Sequence, residues 1–183
     1  MKKEFKRCFI AINFHDNIID EIIRIQKIIQ KEDVFIGKFT ENDNLHLTMK
    51  FLGEIDEDKI TKIKESLKKI KFKRFECSLE KLGVFSMETP RIIWIKIKGE
   101  IYNFCKEVDE CLSDIFEKEK RFMGHITLAR IKKIYNKKKL YEVLNKIKIE
   151  KLKISVEEFS LMESKLTERG AEYKEIEKYK LKR

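Results

Sequence analysis

The sequence predicts an α+β fold, and three observations carry that reading. Strand-like and helix-like stretches alternate along the chain. The strand-like stretches alternate polar with apolar residues instead of being apolar throughout, which suits antiparallel sheets with one covered face. A strand, a helix and a strand bearing His-x-Thr recur in that order, once in each half of the chain, which predicts two related lobes. No Pro-, Gly- or Ser-rich linker separates them, since the 183 residues include one proline and six glycines. Residues 1–183 therefore read as a single domain of two lobes, long enough to bury about two-thirds of the unfolded surface.

Each element has its own cause. Arg7 to Phe14 (RCFIAINF) is apolar and rich in strand formers, so it reads as a buried strand. Asp16 is placed to cap a helix reaching Lys31, with Ile18, Ile22, Ile25 and Ile29 at helical spacing. Thr40 to Asn44 is a polar loop, and Leu45 to Leu52 alternates as a strand that Gly53 is expected to end. Asp56 caps a second helix reaching Ile70, striped by Ile60, Ile63, Leu67 and Ile70. Arg74 to Leu82 alternates as a strand, followed by a loop from Gly83 to Pro90. Arg91 to Lys98 (RIIWIKIK) is a strand dense in β-branched residues, broken by Gly99. A third helix is expected over Ile101 to Lys118, a strand over Ile126 to Ile131, and a fourth helix from Asn136 to Ile147. Lys153 to Glu163 and Tyr173 to Leu181 are the closing strands.

Composition bounds the function loosely. The 42 Lys and Arg against 32 Asp and Glu leave a net charge of +10, and the pI is about 9.3. A positive field of this size favours polyanions such as RNA, DNA or phosphorylated metabolites without choosing among them. Lysine is abundant along the whole chain, so a compositional bias accounts for the excess equally well. No stretch approaches the ~20 apolar residues of a membrane span. The first residues are basic and then apolar, with no small-residue cleavage site, so no signal peptide is expected and the cytoplasm is the expected compartment. Cys8, Cys77, Cys105 and Cys111 lack zinc-site spacing and are expected as reduced thiols.

The histidines are more informative. His46-Leu47-Thr48-Met49 in the first half is matched by His125-Ile126-Thr127-Leu128 in the second. In a strand, residues i and i+2 share a face. Each copy therefore presents an imidazole beside a hydroxyl and turns Leu47 and Met49, or Ile126 and Leu128, the other way. An imidazole takes or gives a proton near neutral pH. Two of them on opposite sides of one phosphorus serve an in-line displacement, one removing a proton from water and the other protonating the departing oxygen. The hydroxyls can donate to the non-bridging oxygens where charge accumulates. Two histidines with no patterned carboxylate or thiolate make a poor metal site, so no metal is expected. The third histidine, His15, sits in a polar turn and reads as a surface residue without a catalytic role.

These motifs resemble the 2H phosphoesterase superfamily, and most closely its RNA 2′,3′-cyclic phosphodiesterases, formerly described as 2′–5′ RNA ligases. The resemblance runs over nearly the whole chain, through RCFIAINF, NLHLTMKFLGE (Asn44 to Glu54), RIIW (Arg91 to Trp94), GHITLAR (Gly124 to Arg130) and LMESKL (Leu161 to Leu166). Gly124 stands where the family usually has proline, and Met49 where leucine is commoner.

The resemblance implies a bilobal fold with pseudo-twofold symmetry, two mostly antiparallel sheets flanking a central groove, and helices on the outer faces. It implies metal-independent opening of a terminal RNA 2′,3′-cyclic phosphate to a 2′-phosphate; no cofactor or membrane is expected, and a monomer is expected because the groove lies inside one chain. His46 and His125 would be the catalytic pair, His46 as acid toward O3′ and His125 as base on water, with Thr48 and Thr127 holding the phosphate. Alternatives are the same chemistry on small cyclic phosphates or 2′–5′ linked oligonucleotides, its reversal as a 2′–5′ ligation, or a non-catalytic RNA-binding module.

Neighbouring residues are assigned by counting along regular strands. Lys50 shares the face of His46 and Thr48 and is a candidate substrate contact or a residue of the groove's solvated rim. Arg130 falls on the face of Leu128, away from Thr127, and is either an anion contact or a surface or packing arginine. Phe9, Phe14, Phe122 and Tyr135 are candidates for stacking on a base, with core packing as the plainer reading. Arg91 and Trp94 either line the groove or lie under a helix.

Overall fold

The computed structural model describes residues 4–14, 16–168 and 170–183, with the side chain of Asp16 left out. The surface role expected of His15 and the capping role of Asp16 lie outside the described residues. The elements are β1 (Phe5–Asn13), α1 (Asp16–Lys31), β2 (Phe35–Phe39), β3 (His46–Asp56), α2 (Glu57–Leu67), β4 (Phe75–Phe85), β5 (Ile92–Gly99), α3 (Ile101–Cys111), β6 (His125–Ile134), α4 (Lys137–Lys146), β7 (Lys153–Val156), β8 (Glu158–Thr167) and β9 (Gly170–Lys180). The strand order is β7-β4-β5-β6-β3-β1-β8-β9, with β2 also on β6, and every named strand pair is antiparallel.

The expected pair of sheets is present as two halves of one hydrogen-bonded sheet. β3-β1-β8-β9 and β6-β5-β4-β7 meet where Leu47 pairs with Ile126, both completely buried. The helices bind the halves together. α1 follows β1 yet packs on β6, and α3 follows β5 yet packs on β3 as well as β5. One apolar core runs through both halves, from Ile10, Ile63 and Phe104 to Ile95, Leu128 and Leu140. Ile18, Ile22, Ile25 and Ile29 are buried as the helical spacing requires. Asp56 and Asn136 accept from the amides of Lys59 and Lys139 and start α2 and α4, each cap contributing about 1 kcal/mol. Among the described residues no helix is long and apolar enough to cross a membrane.

Several boundaries differ from those expected, each for a local reason. β3 does not stop at Gly53, because φ of +73° there lets the strand bend through a bulge and continue to Asp56. β4 runs past Gly83, which is in the strand because the ring of Trp94 lies where a Cβ would be, 2.3 Å from the nearest carbon. α3 ends at Cys111, well short of Lys118, since the following chain folds back on β3. The expected strand over 153–163 is two strands, β7 on β4 and β8 on β1, so the chain changes half-sheets near Glu157. β2 was not apparent in the sequence; Gly37 lets it approach β6 so closely that a Cβ would sit 2.2 Å from the carbonyl oxygen of Arg130.

Two bulges at matching places decide what faces the groove. Ile10 and Ala11 pair with Lys50 and Thr48, so Met49 is an extra residue in β3. Ile93 and Trp94 pair with Ala129 and Thr127, so Leu128 is an extra residue in β6. Each bulge reverses the alternation beyond it. The Leu128 carbonyl accepts from the Thr40 amide and from Gln26 Nε2 on α1, both at 2.9 Å. The Met49 carbonyl lies 3.7 Å from the Cys105 thiol on α3.

Lys50 is consequently not on the face of His46 and Thr48. It points into the core, 6% exposed, where Nζ meets Asp109 Oδ1 at 2.5 Å and donates to the Glu117 carbonyl at 2.7 Å. Asp109 Oδ2 accepts from the Glu119 amide, so this pair fastens the segment after α3 against the back of β3. Lys50→Ala strands the Asp109 carboxylate and is expected to lower stability by about 3–5 kcal/mol in urea unfolding. The double replacement Lys50→Met with Asp109→Leu is expected to recover more than half of that loss. Equal losses in the two variants would show that the charge pair is not what holds this segment.

Candidate active site

The junction of β3 and β6 assembles the two motifs. With Leu47 opposite Ile126, the antiparallel register sets His46 beside Thr127 and Thr48 beside His125. Leu47 and Ile126 anchor in the core, so all four side chains project from the opposite face, each of them half-buried. Beyond the bulges, Phe51 and Arg130 take the corresponding positions on that face. Arg130 therefore joins His125 and Thr127 instead of turning away from them, as a regular strand would require. Its charge acts on both imidazoles.

The histidines are oriented alike. Nδ1 of His46 lies 2.8 Å from the Asn44 carbonyl, and Nδ1 of His125 lies 2.8 Å from the Met123 carbonyl. A carbonyl only accepts, so Nδ1 carries the proton in each ring and the neutral form leaves Nε2 as the free base. Nε2 of His46 is 3.0 Å from Thr48 Oγ1, which donates to it while the ring is neutral. Asn44 is itself held, its Nδ2 donating to the Ala171 carbonyl at 3.0 Å.

Both imidazoles are pushed below the usual 6.5. Burial is the main cause, because it disfavours the charged ring. The hydrogen bond from Nδ1 to the carbonyl works in the opposite direction, and Arg130 adds repulsion, as does His125 on His46. At neutral pH both rings are thus mostly neutral bases.

Aromatic side chains wall the two sides. Phe9 and Tyr173 each lie 5.0 Å from the His46 ring, Tyr173 edge-on. Phe9, Ala11 and Met162 form a second small apolar cluster on this face, with Tyr173 packed against it. Phe51 is 70% exposed, 6.3 Å from Phe9. On the other side Phe85 meets His125 edge-on at 4.9 Å and lies 5.6 Å from Trp94, which pairs with Thr127. Trp94 therefore belongs to the groove side and not beneath a helix, whereas Arg91 lies farther out, bonded to the Lys132 carbonyl.

Of the stacking candidates only Phe9 lies at the site. Phe14 is in the main core, Phe122 packs on Tyr102, and Tyr135 is beyond the end of β6. Phe51, Phe85 and Tyr173 were not singled out in the sequence. Phe51 needed the bulge, and the other two are far from the motifs in the chain. Burial pushes the Cys77 and Cys105 thiols up to about 12, so neither is a thiolate at neutral pH. Among the described residues no group of three or more His, Cys, Asp or Glu is placed to hold a metal ion.

Comparison with known proteins agrees with this architecture. A family model described as LigT like Phosphoesterase matches residues 12–94 and 96–173. The chain is 35% identical over 180 residues to the RNA 2′,3′-cyclic phosphodiesterase of Methanocaldococcus jannaschii, covering 94% of this chain and 99% of that one. It is 33% identical over 175 residues to the protein of the same name from Archaeoglobus fulgidus, covering 93% and 97%. Among solved structures, TT0787 of Thermus thermophilus superposes with a TM-score of 0.81 at 24% identity, covering 96% of this chain and 97% of that one.

The repulsion between Arg130 and the imidazoles has a measurable consequence. Arg130→Ala is expected to raise the titration midpoints of both His46 and His125, followed by NMR of the ring protons. Unchanged midpoints would place Arg130 away from the rings. Both histidines also titrate lower folded than unfolded, so the unfolded chain binds more protons just below pH ~6.5. Stability is accordingly expected to fall as pH drops through that window, and His46→Ala to flatten the fall.

Proposed function

The chain belongs to the LigT-like phosphoesterase family, and from that footing we propose that it hydrolyses RNA 2′,3′-cyclic phosphate ends to 2′-phosphomonoesters by paired-histidine acid–base catalysis without a metal. The observation that carries the reading is the junction of β3 and β6, where two imidazoles with Nδ1 fixed on backbone carbonyls flank two threonine hydroxyls. The name borne by the Methanocaldococcus jannaschii relative, RNA 2′,3′-cyclic phosphodiesterase, supports the substrate class. One apolar core through both half-sheets supports a single domain of two lobes over residues 1–183. All the groups invoked come from one chain, so a monomer suffices.

The cyclic phosphate sits between the histidines, its non-bridging oxygens accepting from Thr48, Thr127 and Arg130. His125 Nε2 removes a proton from water as the oxygen attacks phosphorus. The P–O3′ bond breaks, and His46, as imidazolium, delivers a proton from Nε2 to O3′. Water has then added across that bond, leaving a 2′-phosphate and a free 3′-hydroxyl. The placement of Phe51 supports this direction. Its exposed ring, on the same strand as His46, offers a nucleobase a surface on that half-sheet. The negative phosphate favours the imidazolium that burial disfavours, so substrate binding itself prepares the acid.

The test is a short RNA ending in a 2′,3′-cyclic phosphate, incubated in excess chelator, with the terminal phosphate identified. A 2′-phosphate is expected, with rates lowered about 10²–10⁴-fold or more in His46→Ala and in His125→Ala. A 3′-phosphate would overturn the leaving-group assignment, and loss of activity in chelator would overturn metal independence. Preference for mononucleoside cyclic phosphates or 2′–5′ linkages would move the substrate, and RNA binding without turnover would leave a binding module.

A further inference from the structure

We infer that a cleft at the far end of β6 binds the single-stranded RNA preceding the cyclic end, which makes the substrate an oligonucleotide and not a mononucleotide; this rests on the phosphodiesterase reading above. The cleft encloses about 360 Å³ between the loop that joins β4 to β5 and the end of β6. Arg91, Lys132, Lys133 and Lys137 line it, against a single acid, Glu88. Tyr135 lines it too and is 55% exposed. Cations beside an exposed aromatic ring in a concavity suit single-stranded nucleic acid, whose phosphates they neutralise and whose bases stack on the ring.

Three features fit this cleft to that role. It is continuous with the proposed active site. β6 carries His125, Thr127 and Arg130 and then enters the cleft at Ile131, so at ~3.3 Å per residue Lys133 lies about 10 Å beyond Arg130. That is the reach of the first few nucleotides upstream of the cyclic phosphate. Its cations are also available. Neither Lys132 nor Lys133 has an acidic partner among the described residues.

The walls, finally, are already braced. Tyr141 Oη donates to the Met87 carbonyl at 2.7 Å, Lys137 Nζ to the Glu88 carbonyl at 2.8 Å, and Arg91 Nη1 to the Lys132 carbonyl at 3.1 Å. Within the loop, Ser86 Oγ accepts from the Thr89 amide at 3.3 Å. A cleft held open in this way costs little ordering when a chain enters it.

The experiment compares wild type with the variant carrying Lys132→Ala, Lys133→Ala and Tyr135→Ala. kcat/KM is measured on a ten-nucleotide RNA with a 2′,3′-cyclic end and on a mononucleoside 2′,3′-cyclic phosphate. Wild type is expected to prefer the longer substrate, and the variant to lose about tenfold or more of that preference while its mononucleotide rate stays unchanged. In parallel, anisotropy of a labelled ten-nucleotide RNA with a 3′-hydroxyl is followed against salt. Removing two phosphate contacts is expected to make the log–log slope shallower by about 1.4. Equal wild-type rates on the two substrates, or an unchanged slope in the variant, would overturn the inference and leave the phosphodiesterase reading intact. If wild type turns over neither substrate, that reading fails, and the salt slope alone decides the cleft.

Discussion

The structure depends on one short stretch of backbone pairing, where Leu47 of β3 meets Ile126 of β6. Everything on the groove face follows from it. The pair anchors both strands in the core, which obliges the flanking residues of each strand to project the other way. Because the strands are antiparallel, the same register brings the histidine of one motif beside the threonine of the other. A slip of one residue in either strand would turn its motif into the core and expose its aliphatic row. That junction is narrow, and helices make it secure. α1 and α3 each cross from the half-sheet in which they begin to pack on the other's motif strand, so separating the halves would expose both helices' apolar faces.

Bulges then decide what surrounds the histidines. Without the extra residues Met49 and Leu128, Lys50 would enter the groove and Arg130 would leave it. With them, the lysine becomes half of a buried ion pair behind β3 and the arginine the groove's cation. The extra carbonyls are met by the helices that cross over them, through Gln26 on one side and the Cys105 thiol on the other. The bulges and the helix exchange thus belong to one arrangement, repeated in each half. Net charge plays little part at this point. Within an overall +10, Arg130 comes to this face through the bulge, and Lys96, the cross-strand neighbour of His125, is paired with Glu80.

What could be read from the sequence was whatever depends on local periodicity. The His-x-Thr strands, the isoleucine stripe of α1 and the caps at Asp56 and Asn136 are set within a few residues, and the alternation or spacing displays them. What escaped depends on a partner strand. A bulge is defined by pairing, so counting along β3 and β6 went astray at Met49 and Leu128. Gly83 reads as a turn until the indole of Trp94 is seen lying on it, and β2 is too short to announce itself without β6. Tyr173 and Phe85 reach the histidines from β9 and β4, and no spacing in one chain could have connected them.

The symmetry that builds the site cannot by itself give the reaction a direction. Two like motifs related by a pseudo-twofold axis offer two interchangeable bases, each with its free nitrogen in the groove and each pushed below its usual value by burial. The positions just beyond the bulges break that equivalence. One carries the exposed ring of Phe51, on the half-sheet where Phe9 and Tyr173 enclose His46, and the other carries the Arg130 guanidinium, on the strand of His125 and Thr127. A ring suits a nucleobase, and a cation suits phosphate oxygens and the path that leads on to Lys132 and Lys133. In the proposed reaction, a nucleotide seated by these two contacts turns its sugar oxygens toward the half-sheet of His46 and the far face of its phosphorus toward His125. On the proposed reaction, a phenylalanine and an arginine that transfer no proton themselves set which imidazole gives a proton and which takes one.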